Sequence, residues 1–214
     1  MTKTTLYLII LLFPLLSVGQ KSLPIGQGVL KIDYTRLPTI HFFADTMQAS
    51  PARTVIVNKD KEGEYIFKNQ KQLESWFLPE QLSLDYDIFI IRVDTIIGKW
   101  YRVVTNSEKP TFMWTKSSAE KKFIRWEPFL LKETTAIEKG FADIEVRTGP
   151  SSNAKLIKTM ELKDCFEVLE IRGDWMKIRT NTTLECSESN RPIKEGWIKW
   201  RDKGRLTIGY GLTC

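Results

Sequence analysis

Apolar positions in this chain come in short runs separated by Gly, Pro, Asn, Ser or charged residues, and at Phe166-Glu167-Val168 they alternate with a polar one. Runs of this length at period two predict half-buried strands rather than helices. The runs also repeat. Trp100-Tyr101-Arg102-Val103-Val104-Thr105-Asn106 matches Trp175-Met176-Lys177-Ile178-Arg179-Thr180-Asn181, both W-x-basic-β-branched-x-T-N. Further on, Phe123-Ile124-Arg125-Trp126 reads against Trp197-Ile198-Lys199-Trp200, with 26 residues from tryptophan to tryptophan in one copy and 25 in the other. Upstream, Ile88-Phe89-Ile90-Ile91 pairs with Phe166-Glu167-Val168-Leu169, and Ile40-His41-Phe42 with Ile144-Glu145-Val146. A self-match at one spacing predicts a duplicated module, here an all-β unit of about five short strands, the pattern of a small barrel.

The first copy carries an insertion, residues 58–86, where the second has only a short hairpin. Within it Asn69 is placed to cap a helix whose Leu73, Trp76 and Phe77 share one apolar face, and Pro79 ends that helix. Docking on the barrel is the first expectation for that face, and a ligand-facing aromatic patch the second. The polar stretch 133–140 is read as the linker between a first unit, 20–132, and a second, 141–214.

At the N-terminus Lys3 is followed by an apolar run from Leu6 to Leu16 and by Ser17-Val18-Gly19, the charged, apolar and small-residue parts of a secretory signal peptide over residues 1–19. Eleven apolar residues interrupted by Pro14 are too few to span a bilayer, and no later run is longer, so no transmembrane segment is expected after cleavage. The expected location is periplasmic or extracellular.

A net charge of +6, spread over 32 basic and 26 acidic side chains, is too diffuse to imply nucleic acid as a partner. One histidine, His41, serves the whole chain, and the acidic residues form no motif for acid–base work. No catalytic residue, metal site or cofactor is therefore assigned, and the chain is read as a nonenzymatic protein. Of the seven tryptophans, Trp100, Trp126, Trp175, Trp197 and Trp200 belong to the repeat, where indoles either fill a small barrel or line a groove. Trp197 and Trp200 have opposite parity, which puts one of them outside the barrel on a regular strand.

The second copy is similar to a known family. Ile144-Glu145-Val146-Arg147-Thr148-Gly149-Pro150-Ser151-Ser152, then Leu156-Ile157, Phe166 to Leu169, Gly173-Asp174-Trp175-Met176-Lys177-Ile178 and Gly196-Trp197-Ile198 resemble, in order, the strands and loops of a bacterial SH3-like domain over roughly residues 141–200. The first copy lacks the V-R-x-G-P-S signature and resembles the family only through the repeat. The resemblance implies two small SH3-like β-barrels in tandem, the first with a helical insertion. It also implies noncatalytic recognition of peptidoglycan or an envelope protein, with Arg147, Thr148, Asp174, Trp175 and Trp197 nearest the groove. An alternative role is a protein–protein adaptor that uses the insertion helix and the interdomain face. The second copy departs from the family by an insertion, Thr182 to Glu195, and by a tail from Asp202 onward. Both additions carry a cysteine, so a Cys186–Cys214 disulfide is expected, with Cys165 free.

Overall fold

The computed structural model describes residues 23–139, 144–157, 166–180 and 194–213. The proposed signal peptide and all three cysteines, with the expected Cys186–Cys214 pair, lie outside these residues.

The chain is mostly β. Its first half runs through β1 (Gly28–Ile32), β2 (Thr39–Phe42), β3 (Arg53–Lys59), β4 (Tyr65–Phe67), α1 (Gln70–Leu73) and β5 (Gln81–Ser83). A 3₁₀ turn (Leu84–Tyr86) leads into β6 (Ile88–Ile97), β7 (Trp100–Asn106), β8 (Thr111–Lys116), β9 (Lys121–Arg125) and α2 (Trp126–Lys132). The second half holds β10 (Ala136–Lys139), β11 (Phe166–Arg172), β12 (Trp175–Thr180), β13 (Glu195–Lys199), β14 (Arg201–Asp202), β15 (Arg205–Leu206) and β16 (Ile208–Gly211). The strands form several small sheets rather than a closed barrel. The largest has the order β8-β7-β6-β1-β9, with β5 added to β6, and the others are β2-β3-β4, β11-β12-β13, β10-β16 and β14-β15.

The unbroken apolar run at the start of β6 has a physical reason, because this strand is buried on both sides. Phe89, Ile91 and Val93 point into a core with Leu30, Ile40, Phe42 and Val55. Ile90 points the other way, into a second core that joins Val29, Trp126 and Phe129 to Phe166, Met176, Ile198 and Trp200 of the second half. A strand between two apolar layers needs no polar alternation. A shared apolar core thus runs between the halves.

The central hairpin of each half is built alike. Gly98 and Gly173, at φ 55 and 58, open two-residue turns that a residue with a Cβ enters only with strain. Trp100 then stands opposite Ile97, and Trp175 opposite Arg172. Each hairpin carries a bulge at the same place, between Val93 and Thr95 in one and between Val168 and Glu170 in the other. The match of Trp100 with Trp175 therefore holds in strand register.

The second tryptophan match does not. Trp126 follows β9, which pairs with β1, whereas Trp200 follows β13, which pairs with β12. The strand that corresponds to β13 is β8: Trp100 faces Lys116 and Arg102 faces Trp114 across β7 and β8, as Trp175 faces Lys199 and Lys177 faces Trp197 across β12 and β13. Phe43 confirms the correspondence by a reciprocal pair of backbone hydrogen bonds with Trp114, both 2.8 Å, repeated by Arg147 with Trp197, again both 2.8 Å. Trp197 is thus the counterpart of Trp114. Trp126 and Trp200 resemble each other only in following a strand, in being buried and in anchoring the indole N–H on a carbonyl, that of Ile25 at 2.7 Å and that of Gly173 at 2.9 Å.

The stretch 133–140, read as a linker, contains β10, which pairs with β16 from Ala136 opposite Gly211 to Lys139 opposite Ile208. The insertion helix is a single turn. Leu73 and Phe77 are buried and Trp76 packs beside them, with rings of Phe42 and Phe77 5.6 Å apart and those of Phe77 and Phe89 5.9 Å apart. Its apolar face is docked on the first core.

Candidate functional site

Corresponding strands give each half an equivalent outward face, and the two faces differ in chemistry. In the second half the residues expected at a groove do come together. Arg147 pairs with Trp197, which lies diagonal to Trp175 on the same side of β12 and β13, with Thr148 and Asp174 in the adjoining loops. Several of their polar groups are already engaged. The Arg147 guanidinium donates to the Ala154 carbonyl at 2.7 Å and to the Glu145 carboxylate. The Thr148 amide donates to the Lys155 carbonyl, so Arg147 and Thr148 brace their own loop. Asp174 accepts from Arg201 Nε at 2.7 Å. Trp197 is only 6% exposed, and the Arg172 guanidinium lies 5.3 Å above its ring. Around it Arg172 pairs with Glu170, Lys177 with Glu195, Arg179 with Glu167 and Lys199 with Asp202. Each pair is worth little in stability because it is solvated. Together they leave this face few groups to offer a ligand.

The first half carries an aromatic face instead. Trp100, Arg102, Phe112, Trp114 and Lys116 share one side of β7 and β8, while Tyr101, Val103, Met113 and Thr115 point inward. Phe43, on the next segment, sets its ring edge-on to Trp100 at 5.1 Å. The acids of the second half are missing here: Phe112 stands where Glu195 stands, and Thr95 where Glu170 stands. Trp114, Trp100 and Phe112 are half-buried, unlike the covered Trp197. Arg102 is held by Asp94 at 3.1 Å and lies 4.6 Å from the Phe112 ring centre. The exposed Lys116 has no carboxylate partner among the described residues, and its ammonium sits 5.0 Å from the Trp100 ring and 5.7 Å from Phe43. A cation flanked by aromatic rings is a ready contact for an anionic, flat or sugar-like group. Trp114 was within reach of sequence reasoning through Trp114-Thr115-Lys116 against Trp197-Ile198-Lys199, a match concealed by the stronger likeness at Phe123-Ile124-Arg125-Trp126.

Beneath this face lies a lysine that needs explanation. Lys121 is buried, donating to Thr115 Oγ1 at 2.6 Å and to the Lys116 carbonyl at 2.9 Å. Thr115 Oγ1 in turn donates to the His41 carbonyl at 3.0 Å, so this chain of bonds ties β9, β8 and β2 together behind the aromatic face. Burial pulls the Lys121 ammonium down to about 8, opposed by the charge of the adjacent Glu120.

A second polar centre joins the halves. Arg92 grips Glu80 with Nε at 2.8 Å and Nη2 at 2.7 Å, reaches the Pro24 carbonyl at 3.1 Å, and stacks 5.4 Å from the Trp126 ring. The Tyr210 hydroxyl, from the second half, donates to Glu80 at 3.0 Å. Burial first, and the neighbouring Glu80 charge next, push the Tyr210 phenol well above its ordinary range.

His41 is exposed on β2 with Thr54 Oγ1 3.2 Å from its Nδ1, and no group of three His, Cys, Asp or Glu side chains suited to a metal occurs among the described residues. No helix among the described residues is long and apolar enough to cross a membrane. Comparison with protein-family models, with curated proteins and with solved structures finds no match.

Proposed function

We propose that this chain is an exported, noncatalytic binding protein of the cell envelope, made of two SH3-like units, that holds peptidoglycan on the aromatic face of the first unit. The path β8-β7-β6-β1-β9 supports the two-unit reading, since the second half repeats its pieces as β13-β12-β11 and β10-β16. The observation that carries the binding reading is the pair Phe43 and Trp100 around Lys116, with Trp114 on the same face, Lys116 being a cation without a carboxylate partner among the described residues.

Co-sedimentation of the mature protein with purified peptidoglycan tests this. Wild type should pellet with the polymer and release no soluble fragments. Lys116→Glu, at an exposed position, should weaken binding by about tenfold at an unchanged melting temperature. Arg147→Ala should behave in the opposite way, because that guanidinium braces its own loop: binding is retained and stability falls by about 1–2 kcal/mol. Loss of binding in Arg147→Ala with Lys116→Glu unaffected would return the site to the second unit.

A further inference from the structure

We propose a second docking surface, separate from the aromatic face: the groove between α1 and β5, which fits an extended segment of a partner protein alternating apolar with basic residues. The groove belongs to the insertion that the second half lacks. Its volume is about 460 Å³, within the range of real binding clefts. Its floor is apolar, formed by Phe67, Leu73 and Phe77, while Leu78 and Leu82 on its lip are 39% and 40% exposed. Two leucines left open beside a concave apolar floor make a patch that water covers poorly.

Charge identifies the occupant. The chain is basic overall, yet no Lys or Arg lines this groove, and three carboxylates do. Glu80 is committed to Arg92. Glu74 and Glu108 are exposed, and neither has a cationic partner among the described residues. β5 forms one wall and pairs with β6 on one side only among the described residues. A short open strand edge takes up another extended chain by backbone hydrogen bonds. An incoming strand of period two would set its apolar side chains on the floor and its cations toward Glu74 and Glu108.

The test uses the full mature chain and two nine-residue peptides, one alternating Leu with Lys and one alternating Leu with Glu, followed by methyl NMR. The Leu–Lys peptide should produce saturable shifts at Leu73, Leu78 and Leu82, equally in wild type and in Lys116→Glu. The Leu–Glu peptide should leave these signals in place. Glu74→Lys/Glu108→Lys, which alters only exposed positions, should bind the Leu–Lys peptide at least about tenfold more weakly without a change in melting temperature. The proposal is overturned if both peptides bind alike, if the doubly reversed variant keeps its affinity, or if no saturable shift occurs at the three leucines. A concentration-dependent dimer dissolved by Leu82→Asp would likewise overturn it, by assigning the groove to a second copy of this chain.

Discussion

Arg92→Met is expected to destabilise the protein by about 3–5 kcal/mol, the range for removing one partner of a buried ion pair. Both side chains are nearly sealed, with relative exposures of 9% for Arg92 and 8% for Glu80. The loss of the guanidinium removes a two-pronged contact and the bond to the Pro24 carbonyl, and it leaves the Glu80 carboxylate in the core with the Tyr210 hydroxyl as its remaining donor. Because Tyr210 belongs to β16 and also packs on Trp126 and Phe129, with ring centres 6.0 and 5.4 Å away, the damage reaches both halves. Urea unfolding should show the loss as one cooperative transition moved to lower denaturant. The double variant Glu80→Leu/Arg92→Met, which removes the stranded charge, should recover most of it. A cost below about 1 kcal/mol for the single change would mean that the pair contributes nothing to joining the halves.

The second large effect is a dependence of stability on pH that runs opposite to that of a salt-bridged lysine. Lys121 binds its proton less tightly in the folded chain, at about 8, than the ordinary 10.5 it has when unfolded. Between these values the unfolded state holds more protons, so stability must rise with pH, by about 3 kcal/mol across the whole interval. Tyr34 and Tyr210 act the other way above pH 10. Burial raises both phenols, so the unfolded tyrosines ionise first and stability then falls. The predicted profile climbs from pH 7.5, peaks near pH 10 and declines. Lys121→Met should abolish the climb and keep the decline, as followed by chemical denaturation at fixed ionic strength. A wild-type profile that falls steadily from pH 8 would contradict the buried setting of this lysine, bonded to a hydroxyl and a carbonyl.

Much of the architecture was legible in the chain because it is local. The Gly-x-Trp turns at Gly98 and Gly173 fix two hairpins whose strands are adjacent in sequence, and the apolar spacing of Leu73, Trp76 and Phe77 fixed a docked turn of helix. What escaped depends on distant partners. Nothing near Trp126 reveals that β9 pairs with β1, so a tryptophan after a strand matched another tryptophan after a different strand. What the side chains of the expected groove contact is also set by the fold. The Arg147 side chain turns to the Ala154 carbonyl, and Lys177 and Arg179 near Trp197 are neutralised by acids on neighbouring strands, none of which composition discloses. The start of β6 reads as a strand, but only the fold shows that its two faces serve two cores.

The first unit's aromatic face is proposed to receive the ligand, and indole N–H signals report on it directly. In the protein beginning at Gln20, titrated with soluble peptidoglycan fragments, Trp100 and Trp114 should shift together and saturably. Trp126 and Trp200, whose N–H groups are buried on the Ile25 and Gly173 carbonyls, should not move. Shifts confined to Trp175 and Trp197, or no shift at any indole, would contradict the account.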